Sequence, residues 1–383
     1  MRLLPVLLLL LGARAEPWTR HTIDDSSRGA DGVRLADADG DGRLDIVTGW
    51  EEGGVVRLYL NPGPGAARDR WPAVTVAKVA SVEDAVLVDL DGDGALDVVS
   101  SCEGKTRTMY VSWGPKDRAK ILDPAAWMTE PLSASAGARQ WMYCLPLQVD
   151  GKNGIDLVAG SKGEGAQVGW FEAPADPRRL ADWTWHPMKE VGWIMSLYAS
   201  DMDGDGDLDV ALSDRKGPAR GCFWLENPTW KVHPMGGQGK EVMFMALADL
   251  DQDGLQDAIV ATQPREITVL RRLARNGDSW ESRVLPFPEG TGGAKAVQVG
   301  DTDLDGVPDL VFSCEGAEGD KRGVMGLTRD GARSWDISGA AGVKFDRIEL
   351  LDLDGDGDLD LLTCEERENL GVFWYENPAR PKR

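Results

Sequence analysis

The sequence predicts an all-β fold: a seven-bladed β-propeller of four-stranded blades, closed by its own N-terminal strand. Three observations carry this. An aspartate-rich nonapeptide recurs seven times, the copies start 48 to 59 residues apart, and each interval holds short β-branched and aromatic stretches punctuated by Gly, Pro and Asp. Units of that length are too long for the coils of a solenoid and match blades of four strands set around an axis.

The nonapeptide reads D-x-D-G-D-G-x-x-D. Its six intact copies supply Asp37, Asp39, Asp41 and Asp45; Asp89, Asp91, Asp93 and Asp97; Asp201, Asp203, Asp205 and Asp209; Asp249, Asp251, Asp253 and Asp257; Asp301, Asp303, Asp305 and Asp309; and Asp352, Asp354, Asp356 and Asp360. A degenerate third copy runs from Gln148 to Asp156, keeping Asp150 but placing Lys152 at the fifth position. An apolar stretch such as Ala85–Val88 leads into each loop and a second, such as Val98-Val99, leaves it. An aromatic strand follows, ending in a turn, as in Phe223-Trp224-Leu225-Glu226-Asn227-Pro228. A Trp-bearing strand completes the unit, as in Trp230-Lys231-Val232-His233. Alternating apolar runs bounded by such turn residues read as strands.

The last unit stops after Tyr375-Glu376-Asn377-Pro378 and lacks a fourth strand, while the chain near its start offers Pro17-Trp18-Thr19-Arg20-His21-Thr22-Ile23. That segment matches the missing strand. Pairing the two would latch the ring and remove an exposed edge.

These repeats resemble those of FG-GAP/VCBS proteins, the family that includes the integrin α-subunit propeller, over essentially all of residues 16–383. The resemblance implies that each aspartate loop joins the first two strands of a blade and binds calcium. Loop chemistry agrees with that implication. Calcium takes six to eight oxygen ligands in a flexible shell. Aspartates at positions 1, 3, 5 and 9 and the carbonyl of position 7 can supply them, with glycines at 4 and 6 permitting the turn. An EF-hand would need Glu at position 12, where these loops carry Thr48, Ser100, Leu212, Val260, Phe312 and Thr363. Four carboxylates within nine residues repel one another unless a cation neutralises them. Up to six structural Ca2+ are expected, and in the third loop Lys152 is expected to replace the ion by pairing with Asp150 and Asp156. Gln252, Leu304 and Pro308 depart from the pattern but leave all four acids in place.

Residues 1–15 read as a signal peptide: Arg2, an apolar run from Leu3 to Leu11 broken only by Pro5, and a small-x-small site at Ala13-Arg14-Ala15. The run is too short to span a membrane, and no later segment is long and apolar enough to insert. The expectation is a secreted or periplasmic protein cleaved near Ala15. Five cysteines at no staple-like spacing give no disulfide framework. A formal charge of −22 excludes nucleic acid as a partner, because phosphates would be repelled.

With the aspartate loops on one face, two sets of residues should meet near the axis on the other. Six residues past each loop stand Glu51, Glu103, Lys162, Arg215, Gln263, Glu315 and Glu366; six before it stand Asp31, Glu83, Met142, Met195, Met243, Lys295 and Asp346. Trp141, Trp193, Glu241 and Arg347 fall close by in sequence. Acids dominate blades 7, 1 and 2, and Met, Trp and bases dominate blades 3 and 4, so a bipolar mouth is expected. It could stack a sugar on Trp while carboxylates accept hydroxyl hydrogen bonds. The three histidines, His21, His186 and His233, fall on fourth strands away from that axis. The sequence therefore points to a calcium-binding interaction module for a glycan or protein ligand, with a carbohydrate lyase or dehydratase at the mouth as the alternative.

Overall fold

The structure is a computed structural model that describes residues 16–379. The expected leader, residues 1–15, lies outside the described residues. Among the described residues there are seven antiparallel sheets of four strands, short 3-10 turns and no α-helix.

Blade 1 is built from Ala30–Ala36, Asp45–Trp50, Val55–Tyr59 and Ala73–Ala77, in that order from the axis outward. Blades 2 to 6 repeat this order, their innermost strands being Val82–Val88, Gln140–Leu147, Ile194–Ser200, Val242–Ala248 and Gly293–Gly300. Blade 7 combines Phe345–Leu351, Asp360–Glu365 and Gly371–Glu376 with the N-terminal strand Thr19–Asp24 on its outside. Thr19 pairs with Glu376 and His21 with Trp374, so the first strand does close the last blade. Blade 7 also packs back onto blade 1, completing the ring.

Second strands are buried along their whole length in five blades, as in Asp45–Trp50 and Asp360–Glu365, because both faces of an inner strand meet neighbouring blades. In blades 3 and 6 they are buried up to a part-exposed Lys162 or Glu315 at the end. Seven apolar clusters fill the seven inter-blade seams. The seam between blades 7 and 1 holds Ile23, Trp50, Tyr59, Leu362 and Trp374; that between blades 4 and 5 holds Trp224, Met235, Val260 and Leu270. Two third-strand tryptophans are thus packing residues whose polar ends are satisfied across the seam, while Trp113 Nε1 donates to Glu130 of its own blade (3.0 Å). Trp374 Nε1 donates to the Ala67 carbonyl of blade 1 (3.0 Å), and Trp224 Nε1 to the Gly277 carbonyl of blade 5 (3.2 Å). A buried indole needs such a partner.

All three histidines take one arrangement on the fourth strands. His21, His186 and His233 lie over Trp374, Trp170 and Trp224 with ring centroids 4.5, 4.7 and 3.9 Å apart. Each pairs with the glutamate two residues beyond its tryptophan: Glu376, Glu172 and Glu226.

Candidate functional site

The ring has two faces set by strand direction. Each innermost strand starts at the mouth and ends at its aspartate loop, roughly 20–25 Å away for seven or eight residues. A single irregularity shapes the mouth. Every innermost strand carries a β-bulge near its start: between Val82 and Asp84, Trp141 and Tyr143, Ile194 and Ser196, and Ala294 and Ala296, and likewise in blades 1, 5 and 7. The extra residue in these four blades is Glu83, Met142, Met195 or Lys295. A bulge frees a residue from the ladder and re-aims its side chain, and all four line one axial cavity of about 220 Å³.

Eight of the sequence-predicted ligand residues line this cavity: Glu51, Glu103, Trp193, Arg215, Lys295, Glu315, Asp346 and Arg347. Glu241 and Glu366 sit outside the lining and reach it through partners, Glu241 bonding Arg215 (2.7 Å) and Glu366 pairing with Lys344. Trp141 is a correction. It is fully buried between blades 2 and 3, its Nε1 donating to the Ser135 carbonyl (3.1 Å), because strand alternation turns it away from the axis as it turns Met142 inward. Met243 is likewise core rather than lining.

The bipolar mouth is a second correction. Bases and acids interleave around the ring. Lys162 of blade 3 pairs with Glu83 (3.4 Å) and with Glu103 of blade 2, and Lys295 of blade 6 with Asp346 of blade 7 (3.4 Å). Arg215 bonds Glu241 and approaches Glu315 at 3.8 Å. Lys344, which the two-position reading passed over, brings an ammonium into the acidic sector. Trp193 is clamped between Lys162 (4.5 Å) and Arg215 (4.6 Å), and its Nε1 is buried without a hydrogen-bond partner. Tyr143, Arg34 and Asp84 lie in the same network: Arg34 pairs with Asp84 (3.0 Å) and lies over Tyr143.

Acids outnumber bases here, and buried acids respond by keeping protons. Burial pushes Glu83 up to about 8; Lys162 resists and Glu103 and Glu51 reinforce the shift. Burial and the neighbouring Asp346 raise Asp31 well above the usual range. Burial opposes ionisation of Asp346 too, but Lys295, Asp31 and Lys344 hold it at about 2.

On the opposite face, each aspartate loop is a scaffold of amide bonds. Asp37 Oδ1 accepts from the Gly40 (2.7 Å) and Asp41 (3.0 Å) amides and Oδ2 from Gly42 (2.9 Å). Gly40 and Gly42 have φ of 75° and 89°, the left-handed region glycine enters freely. Gln252 and Leu304 hold the same fourth position at φ 64° and 62°. The ninth aspartate is buried and does a second job. Asp45 accepts from the Ala38 (2.7 Å) and Asn61 (2.8 Å) amides, tying the loop to the end of the third strand. Asp156 makes the same pair of bonds to Val149 and Ala173 (both 2.8 Å) in the degenerate loop. Those two hydrogen bonds to backbone give the ninth aspartate a structural role that does not depend on the first and fifth.

Lys152 is only half as expected. It pairs with Asp150 (2.6 Å) and approaches Glu172 (3.6 Å), and does not bond Asp156, whose oxygens the two amides hold. Gln148 Oε1 takes over the first aspartate's role, accepting from the Gly151 amide (2.8 Å).

The intact loops fit calcium. Asp37, Asp39 and Asp41, like Asp89, Asp91 and Asp97 or Asp201, Asp203 and Asp209, bring carboxylate oxygens within 4.8 Å of one another. Hard oxygen donors at that density suit a hard dication. Burial pushes Asp97 up to about 7 and Asp360 up to about 8 against the amide bonds that pull them down, a cost a dication beside them would offset.

Comparison with known proteins agrees with this geometry. A family model described as an FG-GAP-like repeat matches residues 37–100 and 249–312, each stretch running from one aspartate loop into the strand after the next. Crystal structures of BBS1N in complex with ARL6DN, soaked with mercury or with lead, are similar in fold. The mercury-soaked chain has a TM-score of 0.54 at 10% identity, covering 96% of this chain and 98% of that one. The lead-soaked chain scores 0.52 at 11% identity, covering 96% and 99%. No curated protein sequence matches the chain. The chain is a seven-bladed β-propeller of four-stranded blades that carries FG-GAP-like repeats at residues 37–100 and 249–312.

Proposed function

We propose that this propeller is an exported, calcium-stabilised interaction module that engages a glycan or protein ligand at the mouth opposite its aspartate loops. One observation carries the reading: the repeated bulge that turns Glu83, Met142, Met195 and Lys295 out of the strand ladder and into one cavity. A bulge sharpens strand twist and so also serves packing; the convergence of the freed side chains on one cavity is what points to a ligand. The cavity, about 220 Å³, falls below the ~300–1,000 Å³ usual for a drug-sized ligand. It suits one sugar residue or one inserted side chain on a larger partner. The unpaired Trp193 N–H offers that group a donor, and Glu51 and Glu103 offer acceptors.

Calcium belongs to the scaffold in this reading. Asp37, Asp39 and Asp41, and their counterparts in the other five intact loops, would hold it; the ion supplies positive charge that draws each loop's carboxylates together. The similarity to BBS1N fixes the fold and brings no partner with it.

A second reading, a sugar lyase or dehydratase, has one observation in its favour. Glu83 keeps its proton to about 8 beside Glu103 and Lys162, the pairing of acid and base that elimination requires. A glycan array on calcium-loaded protein, repeated with Glu103→Gln plus Arg215→Gln, separates the readings. Binding lost in the variant without turnover in the parent supports the module. Turnover lost with binding retained supports the enzyme, and no glycan signal in either protein directs the search to a protein ligand. Export is checked by N-terminal sequencing of protein recovered outside the cytoplasm, expected to begin near Glu16.

A further inference from the structure

The loop face carries a feature the repeat pattern did not announce. In five intact loops a guanidinium sits on an aspartate oxygen that the loop's own amides leave over. Asp91 Oδ1 accepts from the Asp93 amide, and its Oδ2 faces Arg178 Nε at 2.5 Å. Asp93 Oδ1 accepts from the Ala95 amide, and its Oδ2 faces Lys116 (3.3 Å) and Arg178 (3.6 Å). Arg271 does the same for Asp251 and Asp253, Arg333 for Asp303, Arg68 for Asp354 and Arg43 for Asp41. Two of these come from the next blade around the ring: Arg178 lies in the connection before the fourth strand of blade 3 and reaches loop 2, and Arg68 of blade 1 reaches loop 7.

The remaining loops bracket this arrangement. Loop 3, which lost two acids, has an ammonium built in at Lys152. Loop 4 has a full set of acids and a fifth at Asp207. Its neighbour Arg272 spends its guanidinium on carbonyls instead, among them Met202 O at 2.6 Å. One chain thus shows a cation carried by the loop itself (Lys152, Arg43), a cation brought from elsewhere in the fold and, among the described residues, no paired cation in loop 4.

We propose that the borrowed guanidinium groups are exchangeable counter-ions that calcium displaces from the loops. This rests on the calcium reading above. The oxygens at issue, Oδ2 of the third or fifth aspartate, are among those a metal would use and take no bond from the loop's own amides. A guanidinium and a dication cannot both sit against them without repulsion. Arg68 and Arg178 are each 39% exposed and can return to water, while Asp354 and Asp91, 3% and 8% exposed, would be left without a counter-charge unless the ion replaced it. Where the arginine comes from the next blade, metal entry also releases a cross-blade tether, so that loop's affinity is coupled to its seam.

The test compares the wild-type chain with Arg178→Gln, Arg271→Gln and the charge-keeping Arg178→Lys. Each is melted in calcium and in chelator, and calcium affinity is read by competition with a chromophoric chelator. The proposal expects the calcium-induced rise in melting temperature to grow in Arg178→Gln and Arg271→Gln, and one site in each to bind about tenfold tighter. Arg178→Lys should behave as wild type. An equal drop in melting with and without calcium would make the arginines plain structural ties and overturn the proposal, as would weaker calcium binding. A wild-type chain whose melting ignores calcium would overturn the calcium reading itself, a result distinct from either.

Discussion

At the residue scale, sequence position alone told which residues stand near the mouth but not which way each points. Glu83 and Lys295 were readable because the six-residue offset coincides with the bulge. Trp141 was misplaced because a strand turns adjacent residues to opposite sides, and the bulge between Trp141 and Tyr143 resets that alternation. Lys344 was missed because it precedes its strand, where no periodicity applies. Two predictions belong here. Leu304 holds φ 62° at a position glycine occupies in four other intact loops, and it is 38% exposed. Leu304→Gly is expected to stabilise the chain by about 1 kcal/mol, since a left-handed L-residue costs ~1–2 kcal/mol and little packing is lost; chemical denaturation measures it. Glu83 sits at about 8 in the fold against a usual 4.5. Its contribution is full below 4.5 and is lost as pH rises towards 8. Glu83→Gln cannot ionise, so wild type should lose melting temperature relative to Glu83→Gln between about pH 5 and pH 9. Parallel profiles would mean that Glu83 ionises normally.

At the scale of elements, the aspartate loops, the aromatic third strands and the ring-closing strand were legible because each repeats a chemical requirement in sequence. Acids cluster only where something offsets their repulsion, and Trp recurs where a seam must be filled. The bulges were not legible, since a bulge adds one residue to a strand without changing its composition. Nor were the arginine contacts, which join residues far apart in the chain, as Arg178 and Asp91 are. The closing strand gives the element-scale prediction. Thr19–Asp24 covers Gly371–Glu376, and Ile23 fills the seam beside Trp374. Deleting residues 16–24 should leave an unpaired edge, open the ring and produce concentration-dependent association. Light scattering across a dilution series measures this; a deletion variant that stays monomeric with unchanged melting would contradict the latch.

At the scale of the whole molecule, one repeat serves two ends. Its loop end gathers charge that a dication can neutralise, and six such ions would offset more than half of the formal −22. Its mouth end uses bulged strands to present interleaved acids and bases around one cavity. In the proposed reading stability and recognition fall on opposite faces, so either can be altered with the seams left intact. The central claim, that the intact loops hold calcium and the third does not, is tested most directly by native mass spectrometry of the mature chain equilibrated with calcium. The account predicts a limit of six ions per chain, falling to five when Asp89, Asp91 and Asp93 are changed to Asn together. A chain that retains no calcium, or that binds a seventh ion lost on mutation of Asp150, would contradict it.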